Sequence, residues 1–236
     1  MYHARALNSP ALVALSSIGT EQANPTEFTG KAVTQLLNYC ATYPNPVLRF
    51  CASDMVLRVY SDASYLSVSQ GRSRAAGYFY LSSVMPSDTC DTPVKPSTNL
   101  KLAPNTDPPP PWNGAVHVMC SIIANVMSSA TEAEIAAVFK SCQACVSIRT
   151  ALIEMGHPQP PTPIEVDNQC AVGILTDTIK QKRSKCMDMR FFWVKDRIKQ
   201  GQFYIYWRPG KGNRADYFTK HHAPSHHKEM RPVYVQ

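Results

Sequence analysis

Two spacings of hydrophobic residues divide this chain. In Val56-Leu57-Arg58-Val59-Tyr60-Ser61-Asp62-Ala63-Ser64, Leu57 and Val59 alternate with Arg58 and Tyr60, and small or polar residues bound the run. That pattern predicts a β-strand ending on the carboxylate of Asp62. A turn-rich stretch, Ser67 to Ser73, leads to a second strand over Ala76–Leu81, antiparallel to the first because the connection is short. Ala115–Ile122 reads as a third strand. A spacing of three and four then takes over. Ser129 is placed to cap a helix, Glu132 reaches back to complete a capping box, and Ile135, Val138, Phe139 and Cys142 form the core stripe.

Strand and helix alternate from there on. Pro163–Asp167 is a short strand, and Asn168 caps a helix over Gln169–Leu175. Met187, Phe191, Val194 and Ile198 share one face of a further helix, and Gln202–Trp207 is the last strand. After the turn Pro209-Gly210-Lys211-Gly212, Asn213 is placed to cap a short helix bearing Asp216. A hairpin rhythm followed by a strand–helix rhythm predicts an α/β fold with a mixed sheet.

Three stretches lie outside that rhythm. Residues 1–50 carry two short amphipathic helices, one from Pro10 to Ile18 and one after Pro25-Thr26-Glu27-Phe28 with Ala32, Val33, Leu36 and Leu37 on it. Both are too short for a core of their own and predict an arm packed against the main domain. Residues 82–113 hold Pro108-Pro109-Pro110-Pro111, cannot pair as sheet, and are expected to form an extended surface loop inside a domain spanning 51–222. Residues 223–236 are expected to be a basic, His-rich and mostly disordered end.

Composition narrows the class. No apolar run reaches the roughly 18 residues that span a bilayer, and the N-terminus lacks the pattern of a signal peptide, so no membrane partner is expected. Eight cysteines show no framework spacing and predict reduced thiols in an intracellular setting. Cys142-Gln143-Ala144-Cys145 falls mid-helix, where nothing lowers a thiol pKa, and is read as packing. A net charge of +7 and a pI near 9.0 suit a polyanionic partner. The basic run Lys180-Gln181-Lys182-Arg183-Ser184-Lys185 is either a nucleic-acid contact or a solvated helix start.

The chemistry is carried by acids. A lone strand-terminal Asp is more often a turn former than a ligand. Asp62, Glu134, Asp167 and Asp216, however, come from four elements, three of them at element ends, which points to a site for divalent cations. Glu132 and Glu134 compete for the helical position; about 200° of helix separates them, so only one faces the site. Glu132 already has a capping role, which leaves Glu134 as the ligand.

Five blocks in order carry a family resemblance. They are Tyr60-Ser61-Asp62-Ala63 followed by Gly77-Tyr78, Ser128-Ser129-Ala130-Thr131-Glu132-Ala133-Glu134, Val166-Asp167-Asn168-Gln169-Cys170-Ala171, Arg183-Ser184-Lys185-Cys186-Met187-Asp188-Met189-Arg190-Phe191, and Asn213-Arg214-Ala215-Asp216-Tyr217-Phe218-Thr219-Lys220. From about Ala32 to His227 the chain resembles the ribonuclease H domain in the C-terminal part of the polyprotein of copia-type LTR retrotransposons. The resemblance implies a ribonuclease H-like fold with a five-stranded mixed sheet, in which the strand of Asp62 lies beside and parallel to that of Asp167. It implies two Mg²⁺ ions, replaceable by Mn²⁺, held by Asp62, Glu134, Asp167 and Asp216, and no small-molecule cofactor. The implied partners are an RNA–DNA hybrid, whose RNA strand is cut, and the reverse transcriptase portion of the same polyprotein, whose end the N-terminal helices resemble. Candidate substrate contacts are Ser64, Asn168, Lys182, Arg183, Lys185 and Arg190, and the implied location is a cytoplasmic particle or the nucleus.

The chain also departs from that pattern. Ser64 stands where many relatives have a second Asp, Cys186 where they usually have His, and Arg208 to Arg214 contains no His. Two other classes stay open on the residues alone. One is a catalytically inactive or domesticated scaffold that binds hybrids. The other is a DNA transposase or integrase-type nuclease, which usually closes its acid set on Glu rather than on an Asp such as Asp216.

Overall fold

A computed structural model describes residues 2–84, 113–179 and 189–236. Five strands form one sheet: β1 (Val56–Val68), β2 (Arg72–Ser82), β3 (Ala115–Ile122), β4 (Thr162–Val166) and β5 (Phe203–Trp207), in the order β3-β2-β1-β4-β5. The first three are antiparallel neighbours. β1 pairs with β4 in parallel, Val59 opposite Ile164 and Tyr60 opposite Glu165, and β4 pairs in parallel with β5. This is the mixed sheet, and the ribonuclease H-like topology, that the resemblance implies.

β1 does not end on Asp62. It runs on to Val68, because the hairpin closes only at Ser69–Gly71, where Gln70 and Gly71 both take left-handed backbone angles of 63°. What ends near Asp62 is the parallel pairing with β4, whose last partners are Tyr60 and Glu165. Asp62 and Asp167 each lie two residues past that pair, and so stand level where the two strands part.

Alternation along the strands gives the sheet two unlike faces. One carries Leu57, Val59, Phe79, Ile164, Val166 and Ile205 and is covered by α4 (Ala130–Glu154), α5 (Gln169–Leu175) and α6 (Met189–Lys199). α4 is long and apolar enough in composition to pass for a membrane span, yet its stripe of Ile135, Val138, Cys142 and Cys145 lies in this core. Burial pushes the Cys142 and Cys145 thiols well up, which fits packing and not redox chemistry.

The other face is aromatic. Tyr60 stacks on Tyr80 with centroids 5.3 Å apart, and Tyr78 on Phe218 at 6.3 Å. The N-terminal arm covers it, as predicted: α1 (Tyr2–Ala6) and α2 (Leu12–Thr20) supply Ala4, Leu12 and Val13. The C-terminal end covers it too, which corrects the expectation of disorder there. α7 (Pro224–Tyr234) buries Arg231 and Tyr234, and the backbones of Gln236 and Val47 exchange two hydrogen bonds. An aromatic sheet face left in water costs too much apolar area to stay uncovered. α3 (Glu27–Thr42) joins arm to tail: Tyr39 donates to Asn8 Oδ1 at 2.8 Å and accepts from Arg231 Nε at 3.3 Å. The proline-rich loop falls almost wholly outside the described residues.

Candidate active site

Each acid is placed by a different piece of local structure. Ser129 caps α4, accepting from the Glu132 N–H at 3.2 Å, and so starts the helix one turn before Glu134. Glu132 accepts from the N–H and hydroxyl of Ser128, at 2.7 and 2.5 Å, one residue further back than a capping box requires. It is occupied at the helix start, as the sequence predicts. Glu134 faces the sheet, where its Oε1 accepts from the Ala63 N–H at 3.2 Å and ties α4 to β1 beside Asp62. Asp167 follows β4 and precedes Asn168, which caps α5 through the Ala171 N–H at 2.9 Å.

Oxygens of Asp62, Glu134 and Asp167 all lie within 4.8 Å of one another. Asp62 and Glu134 are buried, and Asp167 partly so. Burial first, and then the neighbouring carboxylates, push Asp62 up to about 7 and Glu134 up to about 9; Asp167 is raised for the same reasons. Three acids that repel one another in a dry place are unfavourable unless protons or a cation neutralise them. Glu134 Oε2 is buried with no hydrogen-bond partner. That orphaned oxygen and the all-carboxylate donor set fit a hard divalent ion such as Mg²⁺ or Mn²⁺.

Glu165 provides a contrast. It is as buried as Asp62, and burial raises it to about 7, but Tyr206 donates to it at 3.3 Å and Arg208 lies 3.8 Å away. This acid, which carries no signal in the sequence, has its own partners and stands outside the cation group.

The chain matches no family model. It is 22% identical over 197 residues to the Retrovirus-related Pol polyprotein from transposon TNT 1-94 of Nicotiana tabacum, an alignment covering 84% of this chain and 13% of that polyprotein. By sequence, the chain is similar to a short segment of that transposon polyprotein. It spans only about an eighth of the length of the relative it matches. Among solved structures, a ribonuclease H1 isolated from compost aligns at 12% identity and a TM-score of 0.46, over 70% of this chain and 93% of its own. The N-terminal ribonuclease H domain of a Mycobacterium tuberculosis protein aligns at 9% identity and 0.44, over 75% and 96%. The compost enzyme has also been solved in complex with an RNA/DNA hybrid, at 12% identity, 0.44, and 69% and 93% coverage.

The domain holds its fourth acid by a route the sequence did not disclose. Asn213 caps no helix. It is buried, donates from Nδ2 to the Ser61 carbonyl at 2.9 Å, and accepts from the Ala215 N–H at 2.9 Å, pinning the last turn to β1 next to Asp62. Thr219 makes a second staple: its hydroxyl donates to the Asp216 carbonyl at 2.8 Å, and its own carbonyl accepts from Ser64 Oγ at 2.7 Å. Between these staples Asp216 begins a short 3₁₀ turn. Its charge raises Asp62, Asp167 and Glu134, yet it does not belong to the 4.8 Å group, and its Oδ1 accepts from Lys220 Nζ at 2.6 Å.

The remaining candidates divide. Ser64 and Asn168 both act as struts, one in the Thr219 staple and the other in the α5 cap. Arg190 lies half-buried in the first turn of α6. Lys182, Arg183 and Lys185 lie outside the described residues. Past the His-free loop, His221 bonds Ser17 Oγ at 3.0 Å and His222 stacks on Tyr217 with centroids 4.8 Å apart. Gly210, inconspicuous in the sequence, backs directly onto Asp167: a Cβ there would come within 2.5 Å of Oδ2.

Proposed function

We propose that this domain is a divalent-metal-dependent endoribonuclease that hydrolyses the RNA strand of RNA–DNA hybrids as part of a Pol polyprotein. The observation that carries the reading is the convergence of Asp62, Glu134 and Asp167, with one buried Glu134 oxygen left unpaired. Asp62, central to the group, would be shared between two ions; Glu134 and Asp167 would complete one set of ligands and Asp216 the other. Ions held there would supply a polarised water for in-line attack and charge stabilisation for the leaving 3′-oxygen.

The chain's own residues supply the rest. Burial of Asp62 and Glu134 keeps competing water away from the oxygens that bind. The Ala63 N–H orients Glu134, and the staples from Asn213 and Thr219 hold the Asp216 turn against β1. A hybrid would be held through phosphates and 2′-hydroxyls by shape, with the net charge of +7 supplying attraction and Lys182, Arg183, Lys185 and Arg190 as contacts. The hybrid is produced by a polymerase, so the reverse transcriptase portion of the same polyprotein is the natural partner, in a cytoplasmic particle or the nucleus. Incubating the chain with a hybrid labelled in its RNA strand tests the reading. Cutting is expected in Mg²⁺ or Mn²⁺ and should stop in EDTA; activity that survives EDTA refutes it.

A further inference from the structure

Lys220 is a cation built into the site. Its Nζ pairs with Asp216 Oδ1 at 2.6 Å, and both side chains are about half exposed, at 51% and 41%. Its charge also acts on Asp62 and Asp167. The backbone that carries it is fixed: Thr219 is buried, its hydroxyl donates to the Asp216 carbonyl at 2.8 Å, and its carbonyl accepts from Ser64 Oγ at 2.7 Å. Lys220 therefore stays beside the acids, while Asp216, the acid it holds, is the one that does not join the other three.

Resting on the two-ion reading above, the geometry points to Lys220 as a positioning residue that stands in for the second cation at Asp216 and competes with it. An ion pair this exposed is weak and exchanges readily. At equal distance a dication is attracted to the same oxygen about twice as strongly as an ammonium. The group of Asp62, Glu134 and Asp167 then fills first. Asp216 is released only when a second ion displaces Lys220, so this side chain sets how much free metal the domain needs. In the metal-free chain the same ammonium offsets part of the repulsion among four carboxylates.

The test is a Mn²⁺ titration of the whole chain, without nucleic acid, followed by electron paramagnetic resonance. Wild type is compared with Lys220→Met, which keeps the length and loses the charge, and Lys220→Arg, which keeps the charge. Lys220→Met is expected to leave the first Mn²⁺ unchanged and bind the second about two- to fivefold more tightly, while Lys220→Arg behaves as wild type. Half-maximal cleavage of hybrid by Lys220→Met should also need about two- to fivefold less Mg²⁺. A second ion bound no more tightly by Lys220→Met than by wild type overturns the proposal. Loss of hybrid affinity with unchanged Mn²⁺ uptake would assign Lys220 to the nucleic-acid backbone instead. A wild-type chain that binds no Mn²⁺ overturns the metal reading as well, a failure plainly distinct from an unchanged second site.

Discussion

Gly210 offers the sharpest perturbation of the site because it touches a ligand without being one. A Cβ built on it would lie 2.5 Å from Asp167 Oδ2, closer than real side chains tolerate. Gly210→Ala therefore forces the Asp167 carboxylate, or the loop leading to Asp216, to move by about half an ångström or more. Metal ligands tolerate about 0.2 Å, and misplacement by about 1 Å costs on the order of a hundredfold in rate. Cleavage of labelled hybrid under single-turnover conditions should thus fall about ten- to a hundredfold, with weaker Mn²⁺ binding. Stability should change by no more than about 1 kcal/mol, because the atom in the way is the far end of a rotatable side chain. Gly212→Ala is the control: two residues on in the same turn, nothing lies within 4 Å of its Cβ, so it should behave as wild type. Full activity of Gly210→Ala, or equal loss in both variants, would refute the idea that Gly210 makes room for a working Asp167.

Three further outcomes are expected. Glu134→Gln should abolish cleavage in a folded chain, whereas Glu132→Gln, which acts at the helix start through Ser128, should cost about 1 kcal/mol of thermal stability and keep activity; inactive but folded Glu132→Gln would reverse the choice between them. In EDTA, Asp62 and Glu134 titrate in the folded chain near 7 and 9, against about 4 when unfolded, so the folded chain holds the extra protons in between. The stability they contribute is complete below about pH 4 and is lost as pH rises through the folded values; the melting temperature should fall from pH 5 to pH 9, and Mg²⁺ should restore more at pH 9, while a flat profile would contradict the burial of these acids. Replacing Lys182, Arg183 and Lys185 with Ala should flatten the slope of log K against log salt for hybrid binding, measured in Ca²⁺, by roughly 2 to 3 units; an unchanged slope would leave them a solvated helix start.

Local signals made much of the fold legible. β3 occupies the residues its alternation predicts, and α5 starts behind Asn168 because a side-chain cap is a contact within four residues. Asp62, Glu134 and Asp167 were readable for the same reason, since each depends on a strand or a cap close in sequence. Contacts made across the chain were not readable. Asn213 presents itself as a helix cap, yet its amide is used on Ser61, more than a hundred residues earlier. The C-terminal residues read as disordered because their hydrophobic positions are few; α7 is held by burying Tyr234 against Phe218 and against Tyr78, which is far away in the chain. β1 outran its expected end because small and polar residues follow Asp62 in the sequence, while its pairing with β2 continues to Val68. Lys220 and Gly210 carry no pattern of their own and matter only through what they face.

The central claim is that the acids around Asp62 hold metal in order to cut RNA paired with DNA. The most direct measurement supplies the chain with RNA–DNA, RNA–RNA and DNA–DNA duplexes of one sequence, each strand labelled in turn, with and without Mg²⁺, beside Asp62→Asn. Cutting of one strand only is expected, the RNA of the hybrid, only with Mg²⁺, and none by Asp62→Asn. Equal cutting of the DNA duplex, or metal-independent binding of the hybrid with no cutting in any condition, would contradict it.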